Sequence, residues 1–236
     1  MEIQKTAIMQ PYFFPSISYF RLINAVDLFV FLDDVTFIKK GWINRNKILL
    51  NGKSHFININ CKYLSQNKKI NETKIDFNKK EISKKLKTLY QAYKNAPYFN
   101  DVYPMLEKSL LFETEYLSIY TSNTVIQTIK FLGIEKNFKY SSKDFENTLG
   151  LQGEERIIDI CKKSKTETYI NAEGGKNLYY KERFDRENIK LNFLESHYPE
   201  YKQFEHEFIS MLSIIDILMF NSTKVIFDYL NEFNLN

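Results

Sequence analysis

TAIMQPYFFPSISYFRLINAVDLFVFLDD, residues 6–34, decides the fold of this chain. Its opening four residues read as a strand that stops at Gln10 and Pro11, because proline has no N–H to give a sheet ladder and fits best at a strand end. Ser16 or Ser18 can then cap a helix whose apolar residues Tyr19, Phe20, Leu22, Ile23 and Val26 recur at helical spacing. Residues 28–32 are apolar throughout, the pattern of a strand buried on both faces of a parallel sheet. Strand, short helix and apolar strand within about 30 residues make a βαβ unit.

Downstream, residues 42–50 and 55–60 flank Asn51-Gly52, a strong hairpin turn signal. Residues 79–132 are helical in pattern, and Gly133 ends the last helix as a C-terminal cap would. The α/β pattern returns with strands expected at 136–141, 167–171 and 189–194, a helix at 153–164, and a helical segment at 204–230 that breaks near Asn221 and Ser222. The fold expected is therefore α/β with a mainly parallel sheet, Rossmann-like, in which residues 1–78 and 136–236 form the core and 79–135 a helical insertion.

With 236 residues the chain can bury a substantial core, and its 20 Phe and 16 Tyr exclude disorder. The net charge of +4 comes from lysines scattered along the chain, which reads as a solvated surface and argues against nucleic-acid binding. Two cysteines without a CxxC partner and three histidines speak against a Cys/His metal site, and the thiols read as reduced ones in a cytoplasmic protein. The first nine residues lack the apolar core of a signal peptide, and the longest apolar run, 209–220, is too short and too interrupted to span a membrane.

In open parallel sheets ligands bind beyond the carboxyl ends of the strands, where Gln10, Asp33, Asp34, Ser141, Ser142, Asn171 and residues 195–197 are expected. Two prolines bracket Tyr12, Phe13 and Phe14, giving either a stiff aromatic wall for a ligand or core aromatics under a tight connection. KKGWINRN, residues 39–46, holds the chain's one Trp, Trp42, and Arg45, one of five arginines among 33 basic residues. A guanidinium fork grips a carboxylate or phosphate in a way that lysine cannot, so Arg45 is a binding candidate. Asp33 and Asp34 could orient an amine, pair with Arg45 or hold a cation. Glu154 and Glu155 suit a helix N-terminus, and Arg156 follows them. Gly174-Gly175, after a strand, either lets amides approach a ligand or turns the chain. His197 is the general-base candidate, whereas His55 and His206 read as structural or exposed. Asp216 interrupts an apolar helix face, so it needs a partner, for which an Arg or Lys of the site is the natural choice, or a solvent edge. No glycine-rich phosphate cradle is present.

Taken with NAPYF (95–99), GEERIIDIC (153–161), YINAEGGKNLY (169–179), SHYPEYKQF (196–204) and LSIIDILMFNS (212–222), the opening IMQPYFFPSISYFRLINAVDLFVFLDDVTFIKKGWINRNKI resembles the WbqC-like proteins over nearly the whole chain. Ser16 and Ser18 depart from the Tyr and Gly of many relatives. The resemblance implies a role in O-antigen, lipopolysaccharide or other surface polysaccharide assembly and the transfer of glycine or a similar acyl group to an amino sugar on a nucleotide. A carrier-protein-bound acyl donor or ATP is then the implied co-substrate, and an acyl-carrier protein the implied partner. The positions carried over are Gln10, Asp33, Asp34, Arg45, Asn46, Glu155, Arg156, Asn171, His197 and Asp216, with His197 as base, Asp34 on the amine, Arg45 on a phosphate or carboxylate, and Asn46 or Asn171 as amide donor; Tyr12 and Trp42 join them as walls. The strand–loop–helix–strand opening also resembles the HIGH-motif nucleotidyltransferases and adenylate-forming amide ligases, which implies an ATP-dependent ligase as the alternative, although the histidines of that motif are missing from residues 10–20. A non-catalytic module that binds a pathway enzyme through its Tyr/Phe surface is the third reading.

Overall fold

In the computed structural model, β1 (Lys5–Met9) and β2 (Leu28–Phe31) pair in parallel, Thr6 opposite Leu28 and Met9 opposite Phe31, with α1 (Ile17–Asn24) crossing between them. The structure describes residues 4–65, 67–195, 197–205 and 207–236, so His206 lies outside the described residues. The hairpin of β3 (Arg45–Leu50) and β4 (Lys53–Asn58) turns at Asn51 and Gly52, which both adopt the positive φ that a tight hairpin turn demands. Three helices follow: α2 (Lys79–Tyr93), α3 (Phe99–Leu110) and α4 (Leu117–Phe131).

The chain then adds β5 (Asn137–Tyr140), α5 (Ser141–Asp144), α6 (Gly153–Lys163), β6 (Thr168–Ala172), α7 (Lys181–Asp185), β7 (Lys190–Glu195), α8 (Ile214–Phe220), α9 (Thr223–Asn231) and β8 (Asn234–Leu235). The six-stranded sheet runs β5-β2-β1-β6-β7-β8, parallel except for β8, so the strand order reverses between β1 and β6. This is a Rossmann-like α/β sheet, and the reversal opens a crevice at the carboxyl ends of those two strands.

Alternate residues of each strand feed different cores. Ala7, Phe29, Phe31, Ile170 and Leu194 pack with α1, α4, α8 and the hairpin, whereas Ile8, Leu28, Val30, Tyr169 and Leu191 pack with Ile157 and Ile160 of α6 and Phe184 of α7. Helices α2–α4 thus share a buried apolar cluster with one sheet face.

Residues 204–213, expected to be helical, form neither helix nor strand among the described residues. Gln203 binds both the N–H and the carbonyl of Ile209, and Ser213 caps α8 through Ile215 N, so local side-chain bonds replace the helical ladder and delay the helix to Ile214. Among the described residues no helix is long and apolar enough to cross a membrane, and no group of three or more His, Cys, Asp or Glu could hold a metal ion.

Candidate functional site

The loop from Gln10 to Pro15 is fixed from four directions. Phe13 N donates to the Trp42 carbonyl at 3.1 Å, Phe14 N to Thr124 Oγ1 at 3.1 Å, and Ile214 N to the Pro15 carbonyl at 2.8 Å. Asn46 Nδ2 donates to the carbonyls of Phe13 and Phe14 at 3.2 and 2.8 Å, and Ser213 Oγ also reaches Phe14 O. These bonds hold Phe14 at φ 39°, a left-handed conformation that a bulky residue adopts only when its surroundings impose it.

Beside this loop, at the strand-order reversal, lies a cavity of about 300 Å³. Tyr12, Tyr19, Trp42 and Tyr198 wall it, Met9 and Leu194 come from strand ends, and Glu173 and Gly174 close the β6 side. Glu173 is the one charged side chain among the described lining residues. Burial raises the pKa of Tyr12 and, further, of Tyr19, so both keep their protons at neutral pH. The Tyr19 hydroxyl donates to the Gln10 carbonyl at 2.8 Å, while Tyr12 makes a longer bond of 3.3 Å to Gln10 Oε1.

Trp42, Tyr12 and Asn46 of the sequence candidates line this cavity. Asn46 was expected to donate to a substrate, but both of its amide hydrogens are spent on Phe13 and Phe14 and its oxygen accepts from Lys47 N, so it holds the loop instead. Arg45 does not line the cavity. Its Nε donates to the Gly41 carbonyl and its Nη2 to that of Lys40, with the guanidinium 4.4 Å from the Phe56 ring centroid, so the fork braces the loop that carries Trp42 rather than gripping an anion.

Asp34, assigned to the amine, is buried and forms an ion pair with Arg156; its other oxygen accepts from Ser141 Oγ at 2.5 Å. Its partner is therefore Arg156 and not Arg45. Burial pushes its carboxyl up, but the guanidinium and the Ser141 hydroxyl outweigh burial and hold the pKa below the usual value. Asp33 accepts from Ser142 N and Oγ at 3.0 and 2.8 Å, an arrangement that caps α5, and burial raises its pKa despite these bonds.

His197 is exposed, lines neither this cavity nor the one holding Asp34, and its carbonyl accepts from Arg21. Two strands, β1 and β6, separate the end of β2, which leads to Asp34, from the end of β7, which leads to His197, so the shared His197–Asp34 pocket does not form. Asn171 points to the α6 face, toward Tyr179, and its Oδ1 accepts from Ala172 N at 2.7 Å. A Cβ at Gly175 would lie 2.7 Å from Asn171 Nδ2, so the second glycine of the pair permits close packing. Glu155 is exposed, and it is the neighbouring Glu154 that turns inward, to Arg183 at 2.8 Å. Asp216 is fully buried and accepts from Tyr201, Gln203 and Tyr93 at 2.6, 2.8 and 2.8 Å, so its partners are neutral donors rather than an Arg or Lys.

Sequence reasoning missed Glu173, Tyr198 and Met211. Glu173 follows directly on a strand, so the strand-end rule could have found it. Met211 carried no such signal, because it sits in an irregular segment with φ 58°.

The chain is 28% identical, over 97% of its length and 98% of the relative's, to the uncharacterized protein Rv1507c of Mycobacterium tuberculosis. No solved structure matches it. The sequence profile of the WbqC-like protein family matches residues 10–226, a span that takes in the loop from Gln10 and every residue named above in the cavity except Met9; the chain belongs to this WbqC-like protein family.

Proposed function

We propose that this chain is an N-acyltransferase that forms an amide on a nucleotide-linked amino sugar during the assembly of a surface polysaccharide. The observation that supports the reading is the cavity wall: among the described lining residues, four aromatic rings stand around a single carboxylate, with no lysine or arginine. Aromatic rings cover the apolar face of a sugar ring, and together with Glu173 they attract an ammonium group. Lys47 stands just outside, its Nζ 5.8 Å from the Trp42 ring centroid, within range of a diphosphate on a sugar held inside.

Amide formation joins the sugar nitrogen to the acyl carbon, breaks the acyl carbon's bond to the leaving group and passes the amine proton to that departing group. Glu173, whose ion pair with Lys176 is long at 3.5 Å because Lys176 sits closer to Glu195, turns to the amine and orients it, the role first given to Asp34. Tyr12, with its long bond to Gln10, can turn its hydroxyl to the oxyanion that develops on the acyl carbonyl. The acyl group arrives activated, on a carrier protein or through ATP.

Trp42 is the chain's one tryptophan, so its fluorescence reports occupancy of the cavity directly. A nucleotide-linked amino sugar should change the emission saturably and bind about tenfold more tightly than its hydroxyl counterpart, the scale of a charge-assisted hydrogen bond. Glu173→Gln should erase that preference. Equal affinity for the two sugars, or an unchanged emission, would rule out the amino-sugar reading; absence of an acylated product in mass spectrometry with activated donors would rule out the transfer.

A further inference from the structure

On the opposite face of the sheet, against α6, lies a second cavity of about 510 Å³ that contains Asp34 and Arg156. The Arg156 side chain is 8% exposed, donates through Nε to Thr148 Oγ1 at 3.1 Å and through Nη2 to Asp34, and has no acceptor for Nη1 among the described residues. Nη1 is not one of the buried polar atoms that lack a partner, so it opens onto the cavity, where its N–H groups are available to a ligand.

Two further features converge there. Helix α6 begins at the cavity with Gln152, Gly153 and Glu154 in the lining; its N-cap residue Gln152 makes no side-chain cap, and the amides of Gly153, Glu154 and Glu155 find no acceptor among the described residues. Lys69, bridged to Thr36 across the cavity wall, makes no ion pair with a described residue. Asp34 is paired with Arg156 and Glu154 with Arg183 from outside the lining, which leaves Lys69 as the one uncompensated charge among the described lining residues, beside several unused N–H donors. Its remaining walls are apolar, including Leu32, Ile157 and Leu178.

We infer that this second cavity binds an amphiphilic oxyanion, a carboxylate or phosphate monoester on an apolar body, with the anionic head on Arg156 Nη1, the first amides of α6 and Lys69, and the body along the leucine and isoleucine walls. Unpaired amides at a helix start and a guanidinium donor suit such a head. The site does not depend on what occupies the cavity beside Trp42.

Calorimetry with hexyl phosphate, hexanoate and inorganic phosphate tests it. At least one of the two alkyl probes should bind saturably at millimolar concentration or below, and whichever binds more tightly identifies the head group. Inorganic phosphate should bind about tenfold or more weakly than hexyl phosphate, since it forgoes burial of the chain's methylenes. Lys69→Glu at the exposed rim and Leu178→Trp, which fills the cavity from a residue that is 65% exposed, should each weaken the alkyl probe about tenfold or more without unfolding the protein. Arg156→Lys should weaken it as well. Trp42 fluorescence should stay unchanged in the wild type and in Lys69→Glu, where it is the one tryptophan, which separates this site from the first one. No saturable heat with either alkyl probe, or affinities that Lys69→Glu and Leu178→Trp leave unchanged, would overturn the proposal.

Discussion

Asp34 and its neighbour Asp33 leave β2 together, yet their charges are handled in opposite ways. The depressed pKa of Asp34 adds stability that is complete above the ordinary carboxylate range and is lost as the pH falls through the lower, folded-state value. Asp33, whose pKa burial raises, acts with the other sign: its contribution is present at low pH and is lost as the pH rises from the ordinary value to the folded one. Asp34→Ala leaves Arg156 buried without its counter-charge and should lower stability by about 3–5 kcal/mol at neutral pH in urea unfolding, while a loss below about 1 kcal/mol would mean that the pair is screened like a surface one. Arg45 was a good sequence candidate because arginine is scarce here, and that scarcity did mark a need for a planar fork. What the fork holds, the carbonyls of residues 40 and 41, depends on how a loop folds back and could not be read from the residue type. Lysine offers a mobile point charge in place of the rigid planar fork that meets both carbonyls. Arg45→Lys should therefore loosen the Trp42 loop and raise acrylamide quenching of Trp42 while the thermal midpoint hardly moves; unchanged quenching would remove the bracing role.

The segment between β7 and α8 shows the same limit one level up. Phe204, Phe208 and Leu212 recur every four residues, which favours a helix, but the side chains of Gln203 and Ser213 satisfy backbone groups locally and Asp216 draws Tyr201 and Gln203 toward α8. Periodicity reports apolar spacing and is blind to such bonds. By this anchoring the segment delivers Tyr198 and Met211 to the first cavity, and Tyr198 Oη lies 3.4 Å from Ser16 Oγ. Asp216→Ala should strand three donors, lower stability by about 3 kcal/mol or more, and speed hydrogen exchange across residues 198–213 ahead of the sheet. Burial raises the Asp216 pKa against its three hydrogen bonds, so the variant should also lose a stability term that in the wild type declines as the pH climbs from the ordinary carboxylate value. Exchange in 198–213 that stays as slow as in the wild type would show the segment to be held by other contacts.

At the scale of the whole molecule, the apolar runs and the βαβ opening were enough to read a mainly parallel sheet, because a strand buried on both faces has a local composition of its own. The position of the crevice was not legible, since it requires β1 to pair with β6, Lys5 opposite Thr168, and no local pattern encodes that distant pairing. The relation of α2–α4 to the sheet is likewise a long-range matter. Tyr93 of α2 accepts from Leu49 N in the hairpin at 2.9 Å and donates to Asp216 of α8, Thr124 of α4 accepts from Phe14 N, and Tyr120, Val125 and Ile129 share a buried cluster with Phe29, Phe31 and α1. Opening the helices would leave these donors and acceptors buried without partners and would expose one face of the sheet, so the helical stretch and the sheet should unfold together. Trp42 sits by the cavity at the strand-order reversal, whereas far-ultraviolet circular dichroism is dominated by the helices, so the two signals follow different parts of the chain. Their urea transitions should coincide, and Val125→Ala in α4 should shift both to the same lower midpoint, by about 1–3 kcal/mol for a buried side chain. Two separate transitions, with the circular dichroism moving first and Trp42 later, would mean that residues 79–135 melt as a unit of their own.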